Sequence, residues 1–250
     1  MHDLIDKIKR YGWFTPEELK AVIISILVMA LIIGFDDGRE SFNLLYWLHN
    51  FIGAILIVTI SFLISQAGHR LLGLHLGFTV EYKIWWYGLT VGLIVMLVTM
   101  GKLWVLIPGG IWIHHHAIHR LGRFRYGPNV FAFGMISLMG PLFNFFFATL
   151  LKTIDVWFNV GILNIPFFNQ LFLFNIAYAA YQMLPIPPLS GSRVFFHSRN
   201  VYVFLFGCVA SYAVLYFSGV YSYILALIAG ILIWIVYYVT FERGAWKPFG

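Results

Sequence analysis

Charge is what this sequence has least of. Asp, Glu, Lys and Arg make up 10% of its 250 residues and hydrophobic types 61%, where a soluble domain carries about 25% charged residues. Too little charge is present to cover a water-facing surface, so a soluble fold is excluded and a multispanning membrane protein is expected. A mean hydropathy of +0.84 agrees. Cysteine is nearly missing too. Cys208 stands alone in an apolar run, which excludes an internal disulfide and any cysteine-based zinc site. No secretory leader is apparent, because residues 1–20 are polar and mixed in charge. The first apolar run has no small-residue cleavage site after it and reads as a retained span. The formal charge of +6 comes from scattered basic residues with no base-reading motif. That pattern fits anionic lipid head groups as partners and needs no nucleic acid.

What is present in quantity is apolar and aromatic, with 25 Phe, 14 Tyr and 9 Trp. Residues 1–18 read as a polar interfacial segment with an amphipathic helix. Residues 19–241 read as one membrane domain, and 242–250 as a tail. Thr15-Pro16-Glu17-Glu18 supplies an N-cap, a first-position proline and two first-turn acids. Hydropathy then predicts spans over 19–35, 44–72, 84–106, 130–151, 167–184, 201–217 and 220–241. Each is near the roughly 20 residues that cross a bilayer core of about 30 Å. The last two form an apolar hairpin through Gly219. Pro108-Gly109-Gly110 breaks the pattern and Ile111-Trp112-Ile113 favours extended chain, so a short β or re-entrant segment is expected near 107–116. The fold class is therefore an all-α polytopic membrane protein of six to seven spans with that one interruption. With seven alternating spans, Lys and Arg divide seven to nine between the two sides, which gives no orientation.

Two stretches carry chemistry. Ile64-Ser65-Gln66-Ala67-Gly68-His69-Arg70 closes the second span. A helix brings residues four apart onto one face, so His-Glu-x-x-His there would give a metal two imidazoles and its water a base. Here Ser65 and Gln66 replace the first His and the Glu, and His69 remains. The second stretch is Pro185-Ile186-Pro187-Pro188-Leu189-Ser190-Gly191. Between them lies Gly140-Pro141-Leu142-Phe143-Asn144.

This order of motifs, over roughly residues 45–195, resembles the site-2 protease family of intramembrane zinc metalloproteases. The third motif resembles that family's Pro-x-Pro-x-Leu-Asp-Gly. By that resemblance the zinc ligands fall on Ser65, His69 and Ser190, and the general base on Gln66. Gln182 stands where the family often has Asn. A substrate groove would involve Gly109, Gly110, Asn144, Pro185 and Pro187. Neutral Ser is a poor zinc ligand, and Gln can orient a water without deprotonating it. The resemblance therefore implies a member without a hydrolytic centre, with zinc as the family cofactor but none expected in this chain.

A separate cluster, His114, His115, His116 and His119, is the densest set of ligand types. At helical spacing it could hold a metal; in an extended segment His114 and His116 share a face instead. The plainer reading is an interfacial polar segment meeting head groups. The reading taken forward is a multi-pass membrane protein, of the cell membrane, that binds or regulates transmembrane segments of client proteins. Two alternatives stand beside it: an active metalloprotease joining His69 to the 114–119 histidines, and a small transporter. The transporter reading lacks matched intramembrane charges and an inverted repeat.

Overall fold

In the computed structural model of the protein, the structure describes residues 2–36, 38–39, 42–115, 130–218 and 222–242. The chain begins with α1 (His2–Tyr11) and turns through Gly12 to Phe14 into α2 (Pro16–Gly34). The start of α2 is set by the predicted cap. Thr15 Oγ1 accepts from the Glu18 amide at 3.3 Å, and Glu18 Oε2 accepts from the Thr15 amide at 3.4 Å. This reciprocal box satisfies two N–H groups that the first turn would leave bare. Asn43 caps the next helix, α3 (Leu44–His75), through the Leu45 amide. At 32 residues α3 is the longest element, and its rise of about 1.5 Å per residue carries it past a bilayer core.

After α3, Gly77 turns the chain at φ +84°, a conformation open to glycine without a Cβ penalty. Strand β1 (Phe78–Ile84) and helix α4 (Trp86–Val98) follow, then strand β2 (Gly109–His115). The strands pair antiparallel, with Phe78 opposite His115, Tyr82 opposite Ile111 and Ile84 opposite Gly109. Phe78, Val80 and Tyr82 are buried on one face, as the two-residue period of a strand requires. The remaining helices are α5 (Val130–Phe158), α6 (Pro166–Gln182), α7 (Ser190–His197), α8 (Arg199–Phe217) and α9 (Tyr223–Tyr237). A π-helical turn, Tyr238–Glu242, extends α9.

Among the described residues, α3, α5, α8 and extended α9 are long and apolar enough to cross a membrane. Helix α2 carries Glu17, Glu18 and Lys20 at its start, and α6 has 17 residues. The span expected over 84–106 is corrected by the structure. Its helix stops after 13 residues at Val98, where Met100 and Gly101 take positive φ and the chain reverses. The chain then returns extended beside α4. A Cβ on Gly92 would lie 2.8 Å from the Val105 carbonyl, and one on Gly88 would lie 2.3 Å from the Ile107 carbonyl. The two glycines, four apart, give the returning backbone its track. Trp85 N–H closes the turn on the Pro108 carbonyl at 3.0 Å. Hydropathy cannot separate an apolar helix from an apolar return strand, which is why the run read as one span.

Packing is tightest where side chains are smallest, as expected when lipid supplies no hydrophobic drive between helices. Helices α3 and α5 cross at Gly68, against the Met139 carbonyl, and at Gly140, against His69. Helices α8 and α9 cross at Gly230, against Cys208; the Gly219 turn between them lies outside the described residues. Helix α6 runs alongside α3 in the same direction, with Asn175 Nδ2 donating to Ser61 Oγ at 2.9 Å. The main core lies between α2, α3 and α6, with Met29, Ile57, Phe62 and Phe174 fully buried.

Candidate functional site

The antiparallel α3 and α5 and the co-directional α3 and α6 bring the three motif stretches to one end of the bundle. A cavity of about 10 Å³ there is lined by Gln66 and His69 of α3, Gly109 to Ile111 of β2, Tyr178 and Gln182 of α6, and Ser190 of α7. Space of that size is at the threshold for a single water. Two separately predicted stretches, around His69 and Ser190, thus share one small polar chamber.

Some of these polar groups are paired and others are not. The Nδ1–H of His69 donates to the Ile136 carbonyl at 2.8 Å, which leaves the lone pair on Nε2. That nitrogen lies against Gly140, where an added Cβ would come within 2.0 Å of it. Ser65 Oγ accepts from Gln182 Nε2 at 2.9 Å and lies 3.2 Å from Gln182 Oε1. Gln66 is 3% exposed and its Oε1 has no partner among the described residues. Asn144 is fully buried one turn beyond Gly140, and neither of its amide atoms has a partner among the described residues. It does not line the cavity. Pro185 and Pro187 are exposed on the loop entering α7, and the Pro188 carbonyl of that loop sits over Gly110, where a Cβ would approach to 2.2 Å.

The second half of the site was not read from the sequence. Arg70, the residue after His69, is buried and ion-paired to Glu18 through NH2 and Oε1. Its NH1 donates to the Gly12 carbonyl at 3.0 Å and the Trp13 carbonyl at 3.1 Å, and its guanidinium lies 4.1 Å over the Phe14 ring. Glu18 Oε1 also accepts from the Tyr82 amide at 2.7 Å. One carboxylate thus ties α2, α3 and β1. The Tyr82 hydroxyl shares a 2.7 Å hydrogen bond with Ser25. Burial, with Tyr178 nearby, holds the Tyr82 phenol well above its ordinary value and neutral. The available signals were the period-two alternation of Phe78 to Ile84 and a cation placed directly after His69.

Because the Tyr82 amide turns to Glu18, the Tyr82–Ile111 pair is of the non-hydrogen-bonded kind. The N–H and C=O of Ile111 and Ile113 therefore point away from β1. No bond to them is recorded among the described residues, and Ile111 borders the cavity.

Zinc, the cofactor of the resembled family, was tested against these donors. One imidazole, two serine hydroxyls and a carboxamide offer a single good ligand, and Ser65 is engaged with Gln182. Among the described residues, no group of three His, Cys, Asp or Glu side chains could hold a metal. The residues do not fit the ion. Of the histidine cluster, His114 lies 3.7 Å from Glu81 and His115 packs on Phe78 at 4.7 Å. Neither lines the cavity with His69; His116 and His119 lie outside the described residues.

Apolar helices of membrane length around a small polar chamber define a membrane protein. The chain is 28% identical over 183 residues to a Methanocaldococcus jannaschii protein provisionally named a zinc metalloprotease. The match covers 72% of this chain and 84% of that protein. No family model matches the chain, and no solved structure matches it significantly.

Proposed function

We propose that this chain is a site-2-protease-like pseudoprotease: a multi-pass membrane protein that binds an unwound or extended segment of a membrane client without cleaving it. The observation that carries the reading is the donor set of the chamber. Ser65, Gln66 and Ser190 stand at the positions the resemblance gives to two ligands and the base. Gln66, at the base position, has no basic oxygen to activate a water, and the Nε2 of His69 lies against Gly140. What the chamber keeps is peptide-binding capacity. Among the described residues, Gln66 Oε1 is buried without a partner beside the outward-facing edge of β2, and an unsatisfied acceptor costs about 1–3 kcal/mol until a donor reaches it. A client strand added along Ile111 and Ile113 would bring backbone N–H groups to both, with main-chain bonds giving affinity. The loop at Pro185 to Pro188 would have to lift from Gly110 to admit it.

The test is photo-cross-linking to a model single-span segment with a helix-breaking centre. A photoreactive residue at Ile113 is expected to capture it, and one at Ile228 on α9 is expected not to. Equal capture from both positions would remove the edge as a binding site. An active metalloprotease is the second reading, favoured by the name of the archaeal relative; it requires bound metal and is separated by metal content.

A further inference from the structure

One cation beside the chamber has no counter-ion among the described residues. Arg193 stands on α7 one turn beyond Ser190, so the two side chains leave the same face of that helix. Ser190 lines the chamber, and the charge of Arg193 is near enough to act on His69. Arg193 is half-buried, and its Nη1 is buried with no hydrogen-bond partner among the described residues. Burial lowers its pKa from the ordinary guanidinium value, yet a guanidinium keeps its charge in a protein. The acids whose contacts are described are committed elsewhere. Glu18 pairs with Arg70, Asp6 with Arg10 and Asp155 with Lys152, and Glu81 faces His114. Glu17 lines a separate cleft with β1, Asp36 holds the Gly38 amide, and Glu242 ends the extension of α9. Residues 116–129, outside the described residues, contain no Asp or Glu in sequence.

A charge withdrawn from water without a partner is costly, and buried charges in folds are paired. The surroundings of Arg193 supply no negative charge. His197 follows it by one turn on α7, and the next charged residue is Arg199, 5.7 Å over the Phe195 ring. No side chain caps the first turn of α7, which leaves amide N–H groups at the positive end of its dipole, beside Ser190. The chamber lining, from Gln66 and His69 to Gln182 and Ser190, holds no acid. Room selects among anions. A planar carboxylate matches the two-pronged guanidinium, whereas a cavity of about 10 Å³ is short of space for a tetrahedral phosphate. Gln66 Oε1, in the same chamber, needs a donor instead. A peptide offers both, an N–H for Gln66 and a carboxylate for Arg193.

We propose that Arg193 receives a carboxylate of the segment that enters the chamber, either an Asp or Glu side chain or a chain-terminal carboxylate. The segment rests on the client-binding reading above; the anion site itself does not. The site is tested first with propionate against propionamide, its neutral analogue, by the thermal midpoint of the full chain in detergent at constant ionic strength. Propionate is expected to raise the wild-type midpoint more than propionamide does. That advantage should be lost in Arg193→Gln and partly kept in Arg193→Lys. An equal effect of the two compounds, or an advantage that survives in Arg193→Gln, would overturn the site. The source is then read by capture from Ile113 of single-span segments that differ at the helix break. A central Asp is compared with Asn, and a segment ending at the break as the free acid is compared with its amide. The acidic version of at least one pair is expected to be captured about tenfold better, and only while Arg193 is present. The pair that shows the advantage names the source. Equal capture within both pairs would overturn the client carboxylate. Capture of none, with the propionate effect intact, would sink the client-binding reading and support a site for a free carboxylate.

Discussion

Two adjacent turns of the same helix end treat polar groups in opposite ways. At Arg70 a full charge is buried, and its two terminal nitrogens reach Glu18 and the carbonyls of Gly12 and Trp13. At Ser65, Gln66 and His69 no group carries a permanent charge, and Gln66 Oε1 has no partner among the described residues. Buried charges persist in folds when they are paired and hydrogen-bonded, so the Arg70 network has the signature of architecture. An unsatisfied buried acceptor calls for a donor, and an ordered water or a bound peptide group could supply it. The contrast separates what holds the chamber together from what the chamber is for.

Breaking the architectural half should have the largest effect. Replacing Arg70 with Met would strand the Glu18 carboxylate and cost about 3–5 kcal/mol, read as a large fall in thermal midpoint in detergent. Glu18→Gln combined with Arg70→Gln should recover part of the loss, and no recovery would mean that the ion pair is not the coupling element. Next comes Gly140→Ala, which pushes a methyl into His69 Nε2 and should cost about 1–3 kcal/mol. Adding His69→Ala should relieve it, because the clash is with that ring. Ser65→Ala removes the partner of Gln182 and should cost about 1 kcal/mol. The smallest change in stability is expected for Gln66→Leu, which removes an acceptor that has no partner among the described residues. There the effect should appear as lost cross-linking of the client segment from Ile113 while the thermal midpoint stays near wild type. A midpoint drop as large as that of Arg70→Met would erase the distinction between the two turns.

Much of this architecture is legible in residues alone. The cap at Thr15 starts α2 as expected, and the second, fourth, sixth and seventh hydrophobic runs correspond to helices of membrane length. The extended character of Ile111-Trp112-Ile113 is borne out by β2. Strand β1 was missed because Phe78 to Ile84 abuts an apolar run, although its alternation is regular. The reversal at Met100 and Gly101 was missed because hydropathy carries no direction. Glu18 illustrates a different limit. Its place in a capping box is local and readable, while its bonds to Arg70 and the Tyr82 amide join residues more than 50 positions away. Only packing reveals that one carboxylate serves three elements. The motif residues themselves come from the family resemblance, but their neighbours Tyr82 and Tyr178 sit on elements that no motif connects.

The most direct measurement is zinc content of the detergent-purified protein beside a variant carrying Ser65→His, Gln66→Glu and Ser190→Asp. The account predicts near-zero zinc in the wild type and about one ion per chain in the variant, whose three ligands would then match a catalytic zinc site. About one zinc per wild-type chain, lost on His69→Ala, would contradict it and favour the metalloprotease reading.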